Sequence, residues 1–226
     1  MKVFTYYMPV PGLWSDESQQ KLIEVWARSW KKAGWEPVVL NEDSVKTHPN
    51  FAYYKEKLWA LPTEYGHDYE GACFLRWLAV AHAGGGMMVD YDVINYGFTP
   101  ADACTENRMT IYADSDPPQI FTGVVMGRQH HFQEISDIFA AWVPDDHDLN
   151  LNSKTYQGHH CSDLTMMIRM FGGMQTKPDW LVRCDGCAQF PHPTWKTSKL
   201  VHYTYAMHDA GFWPKYEHIE KIRPFE

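Results

Sequence analysis

Apolar residues recur along this chain at two spacings, and each spacing predicts one kind of element. The first run, Lys2 to Tyr7, is rich in β-branched and aromatic residues, which favours a buried strand. Apolar residues then recur every three to four positions, as on one face of a helix that Gly34 closes. Residues 35–40 predict a second strand, so residues 1–40 should form a βαβ unit with a right-handed crossover.

The rest of the chain continues to alternate between predicted strands and predicted helices, which is typical of an α/β domain. Further helices are predicted over Phe51–Leu61, from Gly127–Phe132 onward and around Leu164–Phe171, and further strands over Met87–Val89, Met109–Ala113, Gly123–Met126 and Leu200–Val201. Tyr65–Tyr69 is predicted to be a polar loop. Residues 144–158 are polar and acidic, which suggests an active-site lid.

The stretch from Phe74 to Asn95 holds four parts in a fixed order, FLRWLAVAHA, GGG, MMV and DYD. They predict a helix that carries Arg76, a glycine turn with positive φ, a short strand buried on both faces, and a polar strand end. Because side chains alternate along an extended chain, Asp90 and Asp92 should project to one side and Tyr91 to the other.

Composition narrows the functional classes. The chain has 226 residues, of which 45% are hydrophobic, so it is long enough for one sizeable domain. Its formal net charge of −8 disfavours broad binding to nucleic acid or to anionic membranes. The sequence shows neither a signal peptide nor an apolar run long enough to span a membrane. Its five irregularly spaced cysteines suggest reduced thiols, and we expect a cytoplasmic protein.

Two carboxylates on one side of a strand end are costly to bury in a hydrophobic core, but they are well placed to bind a cation. Their oxygens are hard ligands suited to Mg²⁺ or Mn²⁺, and Mg²⁺ is often held by one or two carboxylates together with substrate phosphates. Asp90 and Asp92 therefore predict a metal-bound diphosphate. The alternative is that a D-x-D tripeptide is only a solvated turn, as it is in many proteins.

The whole arrangement resembles the sugar-binding DxD region of retaining glycosyltransferases that use nucleotide sugars. That family includes initiating mannosyltransferases and relatives of the glucosylating bacterial toxins, and its pattern is approximately S-D-x-x-R, a leucine, then G-G-x-Y-x-D-x-D. Arg76 matches the arginine, Gly85 and Gly86 the glycines, and Asp90 and Asp92 the metal motif. The resemblance implies a GT-A-like single domain with a mixed, mainly parallel central sheet flanked by helices. Residues 1–98 would bind the nucleotide sugar, and residues 99–226 would form the acceptor side.

Three positions depart from the family pattern. Ala72 and Cys73 stand where the family has Ser and Asp, and Met88 stands where it has Tyr. Since the family's Asp helps to hold the donor sugar, Cys73 leaves the identity of the transferred sugar open. The metal and diphosphate chemistry does not depend on these three positions.

Further donor-binding residues are predicted around the first strand. The loop after a first parallel strand is where open α/β sheets bind nucleotides, so Tyr6, Tyr7 and Trp14 are candidates to contact the base. Each of these aromatics could equally be packing the core. Tyr91, between the two aspartates, completes the predicted donor-binding set with Arg76 and Cys73.

The resemblance also extends to the second half of the chain. The family places a polar residue at a helix start beneath the donor sugar, and Asp163 is the matching candidate for a catalytic role. A local role at the helix N-terminus is the alternative. The family closes its metal site with a histidine after an apolar strand, which His202 matches. His208 is the second candidate, although we expect it in a mobile loop.

Other chemistry-bearing residues have simpler interpretations. His130 and His131 suggest a solvated helix start. Cys184 and Cys187 form a C-x-x-C pair that would need two more ligands, such as His192 and His202, to hold zinc. The basic residues near the C-terminus suggest a solvated face. They are Lys196, Lys199, Lys215, Lys221 and Arg223.

The function that the sequence predicts is a metal-dependent glycosyltransferase. It would move a sugar from a UDP or GDP sugar to a hydroxyl, with Mn²⁺ or Mg²⁺ as cofactor and, by resemblance, with retention. The acceptor stays open between a glycan, a lipid-linked sugar, a protein and a hydroxylated nucleic-acid base. A metal-dependent phosphohydrolase and a non-catalytic sugar-binding protein on the same fold are the alternatives.

Overall fold

The structure, a computed structural model, describes residues 1–10, 15–63, 66–104, 107–114, 121–142, 152–153, 156–157, 161–171, 179–204 and 206–225. Trp14, a candidate base contact, lies outside these ranges. Most of the predicted lid over residues 144–158 also lies outside them, so its role stays a prediction.

The described strands are β1 (Lys2–Tyr6), β2 (Glu36–Leu40), β3 (Gly85–Val89), β4 (Val93–Asn95), β5 (Met109–Asp114), β6 (Val124–Arg128), β7 (Asn152–Ser153), β8 (Tyr156–Gln157), β9 (Leu181–Gln189) and β10 (Leu200–His202). Eight of these strands form one mixed sheet in the order β2-β1-β3-β6-β5-β9-β10-β4. The parallel pairs are β1 with β2, β1 with β3, β5 with β9 and β9 with β10. The antiparallel pairs in this sheet are β3 with β6, β5 with β6 and β4 with β10. The predicted mixed, mainly parallel sheet is confirmed.

Helices cover both faces of this sheet, which confirms the α/β fold class. The described α-helices are α1 (Asp16–Lys32), α2 (Glu42–Val45), α3 (Phe51–Trp59), α4 (His67–His82), α5 (Gln129–Ala141), α6 (Asp163–Phe171), α7 (Ala206–Asp209) and α8 (Lys215–Ile222). Side chains of α4, α5 and α6 pack into one apolar cluster, and side chains of α1 and α8 pack into the other. In β1, Phe4 and Val3 enter opposite clusters, as the period of two along a strand requires.

The predicted βαβ unit at the N-terminus is confirmed by the parallel pairing of β1 with β2. The α1 helix begins after Ser15, whose hydroxyl accepts a hydrogen bond from the Ser18 amide. Its Trp26 and Trp30 are fully buried. The Trp30 indole donates to the Val93 carbonyl at 3.0 Å, which ties α1 to β4 on the far edge of the sheet. These tryptophans are core residues.

The central helix starts earlier than predicted. Helix α4 begins at His67, so the prediction of a polar loop over Tyr65–Tyr69 is wrong for residues 67–69. Two features explain the early start. Gly66 turns the chain with a φ of 92°, and the first turn carries Asp68 and Glu70, whose charges complement the helix dipole.

The helix-to-strand junction needs glycine for two different reasons. Gly84 has a φ of 97° but open space around it: among the described residues, a Cβ there would meet no atom within 4 Å. Gly85 has a φ of 81°, and a Cβ there would lie 2.4 Å from the Gln129 amide nitrogen and 2.6 Å from the Arg128 carbonyl carbon. Gly85 therefore lets β3 approach the start of α5 at a distance that no other residue allows.

We expect Gly85→Ala to lower the free energy of unfolding by at least about 3 kcal/mol, since it adds a backbone clash to the positive-φ penalty. Gly84→Ala is the matched control, because it adds only that penalty, about 1 kcal/mol. Urea unfolding of both variants measures the difference. Equal losses would show that the backbone contact at Gly85 is unimportant.

The start of α5 is buried on one side, which the sequence did not predict. His131 is only 1% exposed, its Nδ1 accepts from the Arg128 amide at 3.2 Å, and its ring stacks on Trp180. Burial, with the neighbouring His130 and Arg128, lowers the pKa of His131 to about 4. The expectation of a solvated helix start is wrong for His131 because the first turn packs on Trp180. His130 is exposed, as expected.

This lowered pKa makes the stability depend on pH. The unfolded chain takes up a proton on His131 below about pH 6.5, while the folded protein takes it up only near its pKa of about 4. The stability should therefore fall as pH falls through this window. Between about pH 7.5 and about pH 5, wild type should lose about 2 kcal/mol more than His131→Gln, as measured by urea unfolding. His130→Gln should keep the wild-type slope. A wild-type slope in His131→Gln would contradict this role.

The C-terminal segment returns to the edge of the sheet through β10 and ends in α8. Between them, His208 lies in the short helix α7, so the expectation that it occupies a loop is wrong. The Phe212 amide donates to the Met207 carbonyl, and Met207 is fully buried, which anchors this turn. In the part of the chain that the structure describes, no helix combines the length and the apolar character that crossing a membrane requires.

Candidate metal and substrate site

Three predicted metal ligands lie together at one end of the sheet. Ligand atoms of Asp90, Asp92 and His202 all lie within 4.8 Å of one another, and all three side chains are half-buried. Among the described residues, no other group of three or more histidines, cysteines and acids is as close. The sheet explains the meeting: β4 follows Asp92 directly and pairs antiparallel with β10, so that His202 lies opposite Val93.

The two aspartates lie on the same side for a different reason than predicted. Strand β3 ends at Val89, and residues 90–92 form a turn. The Asp90 amide donates to the Gly123 carbonyl and the Val93 amide donates to the Asp90 carbonyl, each at 2.9 Å. The placement of Asp90 and Asp92 therefore comes from a hydrogen-bonded turn and not from the alternation of an extended strand.

Arg76 links the aspartate turn, which is residues 90–92, to the carboxylate of Asp163. It projects from α4, and its Nη1 donates to Asp90 Oδ1. On its other side, Nε and Nη2 donate to Asp163 Oδ2 at 3.0 and 2.5 Å. Burial opposes the charge of the guanidinium, but Asp163 and Asp90 outweigh it and raise the pKa of Arg76. Arg76 is therefore a fixed cation that lies directly beside Asp90.

Asp163 is the first residue of α6 and is only 3% exposed. Besides Arg76, its Oδ2 accepts from the Trp77 indole at 2.9 Å, and its Oδ1 accepts from the Leu164 amide at 2.7 Å. A carboxylate has room for about four donors, and this one is surrounded by protein donors. The structure thus places Asp163 behind Arg76, away from solvent.

Asp92 has cationic and imidazole partners on both oxygens. Lys215 Nζ donates to Oδ2 at 2.7 Å, and His202 Nε2 lies 3.1 Å from Oδ1. Burial opposes ionisation, but Lys215 and His202 outweigh it and hold the pKa of Asp92 well below its usual range. Asp92 is therefore a carboxylate at any ordinary pH, as a metal ligand must be.

His202 presents one nitrogen to the carboxylates. Its Nε2 faces Asp92, while its Nδ1 is buried and has no hydrogen-bond partner among the described residues. The ring lies 4.9 Å from that of Phe121, between centroids. His208 is 47% exposed on its side chain and contacts Asp209. The structure thus brings His202, and not His208, to the aspartates.

The first-strand tyrosines differ in their surroundings. The Tyr6 hydroxyl is buried with no hydrogen-bond partner among the described residues, and burial, with Glu42, raises its pKa. The Tyr7 hydroxyl donates to Asp16, which together with burial raises the pKa of Tyr7 to about 12. The Tyr7 ring meets the Tyr91 ring edge-on at 6.1 Å. Tyr7 therefore borders the aspartate turn.

One face of α4 points toward the carboxylates. Tyr69, Cys73 and Arg76 follow the spacing i, i+4 and i+7, which places them on one side of a helix. Burial, then Asp163, raises the pKa of the half-buried Cys73, and Cys73, then burial, raises that of Tyr69. Burial and the flanking aspartates likewise raise the pKa of Tyr91. Tyr69, which is 39% exposed, thus belongs to the same wall as Cys73.

Sequence reasoning missed three residues here: Tyr69, Trp77 and Lys215. Helical spacing from Arg76 would have found Tyr69 if the helix had been extended to His67. Lys215 was assigned to a solvated face, and this is wrong, since its side chain is only 12% exposed and contacts Asp92. The sequence holds no local signal for that contact.

The thiols form no second metal group among the described residues. None of the five cysteines, all of which lie in the described ranges, forms a disulfide, and the C-x-x-C pair lies on β9, with Cys187 buried and Cys184 half-buried. His202, one of the ligands that zinc would have needed, faces Asp92 instead. The zinc interpretation therefore has no geometric support.

Comparisons with known proteins give a family and several solved structures. A family model described as "Domain of unknown function (DUF8765)" matches residues 2–130, more than half of the chain. No curated protein matches the sequence. A structure titled "Crystal structure of a glycosyltransferase involved in the glycosylation of the major capsid of PBCV-1" is 10% identical, over 93% of this chain and 97% of that chain, with a TM-score of 0.48. A likeness this low decides neither the fold nor the activity of this chain.

The site geometry predicts how Asp163 contributes to stability. Asp163→Asn keeps the shape but removes the charge that Arg76 needs in a buried position, so we expect the free energy of unfolding to fall by about 3 kcal/mol. Asp209→Asn is the control, because its carboxylate is 72% exposed and the His208 side chain beside it is 47% exposed; it should change the stability by less than about 0.5 kcal/mol. Urea unfolding compares the two. A loss as small for Asp163→Asn would contradict the buried network.

Proposed function

We propose a function for this chain, which belongs to the DUF8765 family of domains of unknown function, from the chemistry of its site. The function is the metal-dependent transfer of a sugar from a nucleoside diphosphate sugar to a hydroxyl. The observation that carries it is the cluster of Asp90, Asp92 and His202 at a sheet end, flanked by Arg76 and Lys215. Such a site combines side chains that can bind a divalent ion with cationic side chains that can bind an anionic sugar donor.

The donor set fits a hard divalent ion. Two carboxylates and one imidazole nitrogen suit Mn²⁺, and the carboxylates suit Mg²⁺ as well. Asp90, Asp92 and the Nε2 of His202 would hold the ion. Once bound, the ion would neutralise negative charge that grows on a leaving diphosphate.

The chain's own residues would orient the donor. Arg76, held by carboxylates on two sides, would contact the sugar or a phosphate without losing its position. We propose that Asp163 is a positioning residue that acts through Arg76, because it is buried behind the guanidinium. A fixed cation costs little reorganisation when charge develops, and this is the main source of electrostatic catalysis.

The donor would lie between the carboxyl end of β1 and the exposed face of α4. Tyr6, Tyr7 and Tyr91 would contact the nucleotide, and Cys73 would line the sugar pocket beside Arg76. A UDP or GDP sugar, a GT-A-like architecture and retention at the anomeric carbon follow from the resemblance of residues 76–92 to the DxD glycosyltransferases. The acceptor would approach from residues 99–226.

The test measures turnover of pooled UDP and GDP sugars by the purified chain, with and without Mn²⁺. We expect metal-dependent transfer or donor hydrolysis. The double variant Asp90→Asn, Asp92→Asn should lower it by at least about a hundredfold, since it removes the charges that hold the ion but keeps the side-chain shapes. Full activity of the double variant would end the metal proposal. Binding of donors without any turnover would favour a sugar-binding protein, and release of a nucleoside monophosphate with a sugar phosphate would favour a phosphohydrolase.

In the same assay, His202→Ala separates the two candidate histidines. It should raise the Mn²⁺ concentration for half-maximal turnover by about tenfold, which corresponds to about 1.4 kcal/mol. His208→Ala is the matched control and should change it little, because the His208 side chain is 47% exposed and does not belong to the group of Asp90, Asp92 and His202. A larger shift for His208→Ala would overturn the assignment of His202.

A further inference from the structure

Lys215 has an unusual position for a lysine. It is the first residue of α8, its side chain is only 12% exposed, and its Nζ lies 2.7 Å from Asp92 Oδ2. A positive charge at a helix N-terminus opposes the helix dipole, and a nearly buried ammonium needs an anion. Asp92 supplies that anion. The contact with Asp92 therefore accounts for a lysine at the first position of α8.

Each metal-binding carboxylate has its own resident cation. Arg76 contacts Asp90, and Lys215 contacts Asp92. Because Arg76 also contacts Asp163, the three carboxylates and the two cations carry one net negative charge, and a divalent ion would leave one excess positive charge in the group. Because like charges at contact distance repel strongly in a partly buried site, one of the resident cations has to withdraw.

The two cations differ in how firmly they are held. Arg76 also donates twice to Asp163, which fixes the guanidinium from behind. The hydrogen bonds that the structure gives to Lys215 Nζ end at Asp92, and a lysine ammonium sits on a flexible stem. Lys215 is therefore the cation that an incoming metal ion displaces.

We propose that Lys215 is a resident counter-cation that occupies Asp92 until a divalent ion replaces it. The ion then binds weakly to the protein alone and more tightly with a diphosphate, which gives the displaced ammonium a new anion. This inference rests on the proposed function for the identity of the two ligands. By linkage, the ion strengthens nucleotide binding by the same factor as the nucleotide strengthens ion binding.

The test is Mn²⁺ binding to the whole chain, followed through the electron paramagnetic resonance of free Mn²⁺. Without nucleotide, Lys215→Met should bind Mn²⁺ at least about fivefold more tightly than wild type, the lower end of typical coupling. Adding UDP or GDP should tighten Mn²⁺ binding in wild type and clearly less in Lys215→Met. Circular dichroism checks that α8 is retained.

Two control variants and one replacement variant keep the outcome decisive. Lys221→Met removes one charge from an exposed position on the same helix, and it should bind Mn²⁺ as wild type does. Lys215→Arg keeps the cation and should keep the weak binding. If Lys215→Met does not fold, Lys215→Gln takes its place with the same expectation.

The two proposals fail in different ways. Unchanged or weaker Mn²⁺ binding by a folded Lys215→Met would overturn the role of Lys215 and leave the metal site standing. No Mn²⁺ binding by wild type or by any variant, with or without nucleotide, would remove the proposed metal site and this inference with it.

Discussion

The buried ion network around Arg76 is the constraint on which the rest of the site depends. One guanidinium joins three parts of the chain: α4, which carries it, the start of α6 through Asp163, and the turn after β3 through Asp90. A charge in such a position is tolerated only with partners on all sides. Because each partner restrains the others, the turn after β3, the start of α6 and the face of α4 that carries Arg76 keep one relative arrangement.

The sheet adds the second half of the site to this network. The antiparallel pairing of β4 with β10 places His202 beside the aspartate turn. The chain then continues from β10 to α8, whose first residue, Lys215, reaches Asp92 from the opposite side. One sheet edge thus positions an imidazole and a cation at the same carboxylate, and the proposed competition between a divalent ion and Lys215 rests on this arrangement.

Local patterns predicted most elements because their causes are local. The stripe of apolar residues in α1, the short strand β3 after three glycines, and the polar residues that bound each element all depend on neighbours within one or two turns. The failures have two causes. The burial of His131 and the helix at His208 depend on packing, against Trp180 for His131 and through the buried Met207 for His208. The start of α4 follows from Gly66 and the acidic first turn, which are local signals that the prediction overlooked.

The sequence by itself determined that Asp90 and Asp92 follow a buried strand and lie close together. It also placed Arg76 in the helix that precedes this strand. Only the tertiary structure decided which of two histidines, His202 or His208, lies beside the aspartates. It also decided whether Asp163 faces solvent or the core. The contact between Lys215 and Asp92 spans 123 residues, and that between Asp163 and Arg76 spans 87. Contacts across such separations are set by strand order and helix docking, which leave no periodic trace in a single sequence. Asp90, Asp92 and Arg76 can therefore be predicted from the sequence, whereas the contacts of Lys215 with Asp92 and of Asp163 with Arg76 can be identified only in the folded structure.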